Sequence, residues 1–206
     1  MSRAPCTLLP PRRFLPGIAG ALWVIAVGSG MTMLWAYSAA PGPAATPPAV
    51  WPRDSRIRPS AERATLIMLA HPHCPCTRAS IEELDRLMAR AGDRLTADVL
   101  FVTPPGASGG WEATDLWRGA AAIPGVTVVD DLDGVEARRF GALTSGQVLL
   151  YDAGGQLRFS GGITPARGHA GDNAGRSAIV ALVESASSAP VETPVFGCSL
   201  LDDSRS

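Results

Sequence analysis

Apolar and polar positions divide the chain into an apolar block, a proline-rich stretch and a longer segment in which apolar residues recur periodically. The block from about Phe14 to Ala40 has no charged side chain, and a helix needs roughly 20 mostly apolar residues to cross the core of a bilayer. The pattern therefore predicts a transmembrane anchor at residues 16–40, after a short N-terminal segment at 1–15.

Arginines at positions 3, 12 and 13 precede the anchor, so the positive-inside rule places the N-terminus in the cytoplasm. A cleaved signal peptide is the alternative, but its apolar region is about 7–15 residues long, shorter than this one. In both cases the rest of the chain is exported. The uncleaved form is a single-pass protein of the inner (cytoplasmic) membrane with a periplasmic C-terminal domain.

Three further segments follow the anchor. Residues 41–60 contain six prolines, a composition that favours an extended, semi-rigid linker. Residues 61–187 have the alternating pattern of one compact domain. The tail at 188–206 has an irregular pattern, which predicts no regular structure there.

Within the domain, short apolar runs alternate with amphipathic ones, which predicts strands alternating with helices. The predicted strands are Ala64–Ala70, Ala97–Thr103, Val126–Val129, Gln147–Tyr151 and Gln156–Ser160. The predicted helices are Thr77–Arg90, Trp111–Ala122, Asp133–Phe140 and Asn173–Ser185. The order βαβαβαββα indicates an α/β fold whose sheet is mostly parallel and ends in an antiparallel hairpin.

The composition of the chain argues against nucleic-acid binding. The net charge is -1 and every basic side chain is an arginine, with no lysine in the chain. A nucleic-acid-binding protein needs a basic face, and this balance gives no sign of one.

Two cysteines lie where the first predicted strand gives way to the first helix, in His71-Pro72-His73-Cys74-Pro75-Cys76-Thr77. Reactive groups in open α/β sheets gather beyond the carboxyl ends of parallel strands, and a helix N-terminus stabilises a thiolate. A thiolate is the species that attacks a disulfide. Cys74 and Cys76 are therefore the candidate redox pair. A disulfide across one intervening residue bends the backbone, which makes it easier to reduce.

The strand–cysteine–helix start, the hairpin and the last helix together resemble the thioredoxin superfamily, over about residues 64–185. The helix between the second and third strands is similar to that of the membrane-anchored periplasmic members that serve cytochrome c maturation. The motifs at 71–80, 161–164 and 167–175 resemble the RedB-type branch. The resemblance implies a thioredoxin-like fold and an oxidoreductase that exchanges disulfides with periplasmic protein thiols, with no required cofactor.

The chain departs from the superfamily in two respects. The family's cysteines are spaced Cys-x-x-Cys, so either Cys74 matches the attacking position with Thr77 in the resolving one, or Cys76 resolves and His73 stands in the attacking position. The family's cis-proline before the hairpin is replaced by Thr144-Ser145-Gly146. In the family that proline shapes the substrate groove and blocks metal binding, so its absence favours a metal site.

The predicted topology brings the loop at 161–175, which carries His169, to the end of the sheet that holds Cys74 and Cys76. His73 or His169 is then a candidate proton carrier, and His169 is otherwise a solvent-exposed side chain. The two cysteines and His169, with His71 or His73, also form a soft ligand set that suits copper or zinc. This set resembles that of the thioredoxin-fold copper chaperones of cytochrome oxidase assembly. A copper-binding metallochaperone is therefore the alternative function.

Two cysteines lie outside the predicted domain. Cys6 precedes the anchor, on the cytoplasmic side, and is expected to take no part in the chemistry. Cys198 brings the exported cysteines to an odd number, which indicates a free thiol or a resolving partner for Cys74 or Cys76.

Overall fold

The computed structural model describes residues 15–107, 110–111, 113–185 and 189–201, and the chain forms two compact units, 1–37 and 38–206. Helix α1 (Leu15–Ala39) accounts for the described part of the first unit. Its stretch Pro16–Ala39 is long and apolar enough to cross a membrane, by length and composition. A signal sequence near an N-terminus has the same properties.

The second unit contains a six-stranded sheet in its described part. The strands are β1 (Ala64–Ala70), β2 (Leu95–Thr103), β3 (Val126–Leu132), β4 (Gln147–Tyr151), β5 (Leu157–Gly161) and β6 (Val191–Glu192). The helices are α2 (Pro75–Ala91), α3 (Asp115–Ala121), α4 (Val135–Arg139) and α5 (Ala174–Ser185). This confirms the predicted α/β order.

The strand order is β3-β2-β1-β4-β5-β6. Strands β1, β2 and β3 are parallel, β4 is antiparallel to β1, and β5 is antiparallel to β4. The carboxyl end of β1 therefore lies beside the start of β4, where Gly146 N donates to Leu69 O over 2.8 Å. This pairing places the two cysteines that follow β1 next to the segment that precedes β4.

Strand β1 is buried on both faces of the sheet, which explains its continuous apolar run. On one face, Leu66 and Met68 pack with side chains from α2, α3 and α5. On the other face, Ile67 and Leu69 pack with α4 and with Trp51. The site at the end of β1 thus follows a strand that is buried from residue 65 to residue 70.

Helix α3 begins at Asp115, so the predicted start at Trp111 is wrong. Thr114 is the N-cap, with an extended backbone, and its Oγ1 accepts from Trp117 N over 3.3 Å. A capping hydroxyl fixes a helix start more sharply than apolar periodicity does. Trp111 lies in a turn before the helix instead.

The segments expected to be a linker and a tail belong to the compact unit, which runs from residue 38 to 206. Trp51 packs edge-on against Tyr151 at a ring-centroid distance of 5.1 Å, and Tyr151 OH donates to Pro48 O. The expectation of an irregular tail is wrong at β6, which pairs in parallel with β5. A strand of two residues is too short to show the alternation of apolar and polar side chains by which a strand is recognised in a sequence.

Candidate functional site

Cys74 and Cys76 lie at the start of α2, as the sequence predicts. Cys74 is the N-cap residue, with an extended backbone, and Pro75 occupies the first turn, where its missing N–H and fixed φ fit the helix. Cys76 lies in the same turn. The two side chains are 3% and 8% exposed. Both sulfurs are therefore held at the positive end of the α2 dipole and are largely shielded from water.

A third sulfur completes the site. Cys198 Sγ lies 2.7 Å from Cys74 Sγ, and the sulfurs of Cys74, Cys76 and Cys198 all lie within 4.8 Å of one another. All three cysteines are free thiols. The sequence left the role of Cys198 open, and the structure brings it into direct contact with Cys74.

The segment that replaces the family's cis-proline supports both the cysteine loop and the tail. No peptide bond among the described residues is cis. Ser145 Oγ accepts from His71 N over 2.9 Å and lies 2.8 Å from Thr77 Oγ1. Ser145 N donates to Cys198 O over 2.8 Å. A single residue thus connects the loop before Cys74, the first turn of α2 and the segment that carries Cys198.

The pKa of the Cys74 thiol is lowered. Burial alone acts in the other direction, but the thiol of Cys198 and the backbone N–H groups of Cys198, Cys76 and Thr77 outweigh it. The amides of Cys76 and Thr77 act as dipoles at the helix start, since the Cys74 side chain makes no capping hydrogen bond of regular geometry. Cys74 is therefore the sulfur that is favoured as a thiolate.

The other two thiols are shifted in the opposite direction. Burial, followed by the negative charge of Cys74 and a hydrogen bond with it, raises the pKa of Cys76. Burial, the hydrogen bond to Cys74 and its charge raise the pKa of Cys198 to about 12. The positive charge of Arg167 opposes both shifts. The shifts therefore favour ionisation of Cys74 before that of Cys76 or Cys198.

No family model matches the sequence, and no curated protein matches it. Among solved structures, an uncharacterized conserved protein from Geobacillus kaustophilus is 18% identical, with a TM-score of 0.57 over 82% of this chain and 95% of that one. A hypothetical protein from Sinorhizobium meliloti 1021 is 20% identical, with a TM-score of 0.56; the match covers 78% of this chain and 93% of that protein. A thioredoxin-like superfamily protein is 16% identical, with a TM-score of 0.45 over 71% and 100%.

The observed arrangement is the one that the sequence predicts. It consists of three parallel strands, an antiparallel hairpin beside the first of them, and helices on both faces of the sheet. The domain has a thioredoxin-like fold. At these identities the likenesses concern the fold alone. None of the three structures is described as RedB-type, so that branch stays a prediction.

The histidines of the thioredoxin-like domain lie outside the sulfur cluster. His73 is exposed, its Nε2 is 3.1 Å from Trp111 O, and its ring centroid is 4.3 Å from that of Trp111. His71 Nδ1 accepts from His73 N. His169 is exposed, and its Nδ1 lies 2.7 Å from Arg167 O. Among the described residues, the ligand atoms that approach within 4.8 Å of one another here are the three sulfurs.

The loop at 161–175 does reach this end of the domain, as expected, but it brings Arg167 rather than His169 to the thiols. The Arg167 guanidinium donates to Gly197 O, and its Nε donates to Ala40 O over 3.0 Å. The sequence placed Arg167 on this loop but assigned it no role. Its role depends on the path of the tail, which residue spacing does not show.

Proposed function

We propose that this chain is a membrane-anchored, extracytoplasmic thiol–disulfide oxidoreductase whose attacking nucleophile is Cys74. The observation that carries the proposal is the lowered pKa of Cys74 in a site where a second sulfur lies 2.7 Å away. A low pKa supplies the thiolate that attacks a disulfide, and a second thiol at contact distance completes the exchange. The substrates are protein thiols or disulfides.

The reaction consists of two exchanges that balance in atoms and electrons. The Cys74 thiolate attacks one sulfur of a substrate disulfide, which forms a mixed disulfide and releases one substrate thiolate. A neighbouring thiol, that of Cys76 or Cys198, loses its proton and attacks Cys74 Sγ, which releases the second substrate thiolate. The substrate disulfide is reduced by two electrons, and two cysteines of the domain are oxidised to a disulfide.

We assign proton transfer at this site to His73 or His169. His73 is next to Cys74 in the chain and is exposed. His169 is also exposed, and it is hydrogen-bonded to the backbone of Arg167, whose charge acts on the thiols. An imidazole has one ring nitrogen that accepts a proton and one that donates a proton, which suits either side chain to carry the proton of a resolving thiol to the leaving thiolate.

Helix α1 supports the proposed location. Arginines precede this apolar helix, and the redox domain follows it. An uncleaved α1 with the N-terminus inside places the domain in the periplasm, where disulfides persist. Cysteine accessibility in intact cells tests this orientation: a membrane-impermeant maleimide is expected to label Cys198 in urea-treated cells without lysis, and labelling only after lysis would contradict it.

The activity is tested with the full chain purified in detergent and equilibrated in glutathione redox buffers. We expect a reversible two-electron transition that is lost in Cys74→Ser. The matched control is Cys6→Ser, since Cys6 precedes the apolar helix and is expected to take no part in the chemistry. Three cysteines that stay reduced at every glutathione ratio would refute the proposal.

A second candidate function, binding of copper, is favoured by one observation. Three buried or half-buried sulfurs lie within 4.8 Å of one another, and thiolates are preferred ligands of Cu(I). The ligand set would be Cys74, Cys76 and Cys198, in place of the predicted set that included His169. Titration of the full chain with Cu(I) against a competing chelator is expected to give a stoichiometric complex that is lost in Cys198→Ser and kept in His169→Ala. The reverse outcome would favour the set predicted from sequence.

A further inference from the structure

We infer that Cys198, and not Cys76, is the resolving cysteine, and that residues 193–200 form an arm that delivers it to Cys74. This inference rests on the proposed thiol–disulfide activity and assigns its second sulfur. The paired cysteines then come from the two ends of the domain rather than from one Cys-x-Cys motif.

The first argument is geometric. The sulfurs of Cys74 and Cys198 are 2.7 Å apart, and a disulfide of about 2.05 Å needs only a small further approach. Cys76 lies in the first turn of α2, where the helix fixes its backbone. A bond from Cys74 to Cys76 must close across Pro75 alone and bend the start of the helix. The contact with Cys198 is already made without such a change.

The second argument is that the arm is held in place at several points along its length. Ser145 N donates to Cys198 O over 2.8 Å, and Leu200 N donates to Leu143 O over 2.9 Å, one on each side of the sulfur. Gly42 N donates to Val195 O over 2.8 Å. The arm is therefore part of the site rather than a loose tail.

Gly197 allows the arm to pass close to the site. A Cβ at this position would lie 1.9 Å from Ser145 O, so a larger residue cannot take the same path. The Arg167 guanidinium donates to Gly197 O. These contacts hold the residue before Cys198 against the segment that also supports the first turn of α2.

The balanced steps with a low-molecular-weight disulfide are as follows. The Cys74 thiolate attacks oxidised glutathione, forms a Cys74–glutathione disulfide and releases one glutathione thiolate. The Cys198 thiol gives its proton to the released glutathione thiolate, and its sulfur attacks Cys74 Sγ, forms the Cys74–Cys198 disulfide and releases the second glutathione thiolate, which takes up a proton from solvent. One oxidised glutathione is thus consumed per two reduced molecules formed, and Cys76 remains a thiol.

The test uses the full chain in detergent with Cys6→Ser as the common background and oxidised glutathione as the probe. After brief reaction and acid quenching, intact mass shows whether a glutathione adduct accumulates. We expect the adduct to accumulate in Cys198→Ser, with its decay slowed by at least about a hundredfold, and to remain as transient in Cys76→Ser as in the background.

Peptide mapping of the oxidised background protein gives an independent measurement that does not depend on folding of a variant. Cleavage after arginine leaves Cys74 and Cys76 on the peptide 64–78 and Cys198 on the peptide 177–205. We expect these two peptides to be joined, and fragmentation before Pro75 to assign the bond to Cys74.

The outcomes separate the two proposals. Accumulation in Cys76→Ser and not in Cys198→Ser, with a Cys74–Cys76 bond in the map, overturns the inference and leaves the oxidoreductase proposal standing. A background protein that forms neither adduct nor disulfide removes the proposed function itself.

Discussion

Ser145 Oγ lies 2.8 Å from Thr77 Oγ1, and this contact ties the segment before β4 to the first turn of α2. Both side chains are almost completely buried. Thr77 Oγ1 also donates to His71 O, and Ser145 Oγ accepts from His71 N. A small hydroxyl network therefore fixes the loop that carries Cys74, at the position where the thioredoxin superfamily has a proline.

Replacement of Ser145 by alanine is expected to lower the free energy of unfolding by about 1–3 kcal/mol, because His71 N and Thr77 Oγ1 each lose a buried partner. Urea denaturation of the full chain in detergent measures the change. Ser199→Ala is the control, since its exposed hydroxyl donates to Leu201 O within the tail. Equal stability of the two variants would contradict the role given to Ser145.

The lowered pKa of Cys74 predicts a specific pH dependence of its alkylation. In the folded protein the thiolate persists to a lower pH than in the unfolded chain, so the alkylation rate reaches half its maximum at a lower pH. Because the folded pKa lies below the unfolded one, ionised Cys74 contributes stability above the unfolded pKa, and this contribution is lost as the pH falls through the folded pKa. Site-resolved mass spectrometry with iodoacetamide measures the rate.

Cys198→Ala is expected to move that midpoint upward, because the Cys198 thiol no longer donates to the Cys74 sulfur. The same titration in concentrated urea supplies the unfolded reference. A Cys74 midpoint at or above this reference in the background protein would show that the helix start and Cys198 do not stabilise the thiolate.

Gly197→Ala is expected to displace the arm without removing any thiol. The added Cβ cannot occupy a point 1.9 Å from Ser145 O, so we expect a loss of about 1–3 kcal/mol in unfolding free energy and a longer-lived Cys74 mixed disulfide. Gly119→Ala in α3 is the matched control, since a Cβ there would meet no described atom within 4 Å apart from its chain neighbours and the backbone of its own helix. An unchanged mixed-disulfide lifetime in Gly197→Ala would count against the arm.

Glu83 anchors the loop that carries Arg167, and its side chain is completely buried. Its carboxylate accepts from Gly171 N and Asn173 Nδ2 and pairs with Arg86 and Arg176. Glu83→Gln is expected to cost about 2–3 kcal/mol, less than a fully buried ion pair because both arginines retain contact with solvent. Exposed Glu82→Gln is the control, and thermal unfolding measures both; equal melting temperatures would contradict the anchoring role.

Apolar periodicity was sufficient to predict most of the fold. Strands β1 (Ala64–Ala70) and β4 (Gln147–Tyr151) have the bounds that the sequence predicts. Both are buried, and a buried strand appears in the sequence as a nearly continuous apolar run. The start of α3 was missed because a threonine cap determines it. Strand β6 was missed because it is two residues long and depends on pairing with β5.

The sequence by itself determined the strand–helix order, the apolar N-terminal helix and the position of Cys74 and Cys76 at a helix start, since each depends on residues close together in the chain. Only the tertiary structure decided that Cys198, 124 residues from Cys74, completes the site and that His169 does not join the sulfur cluster. Contacts of this kind arise from the path of a tail across the end of the sheet. That path is set by backbone hydrogen bonds, which side-chain patterns do not encode.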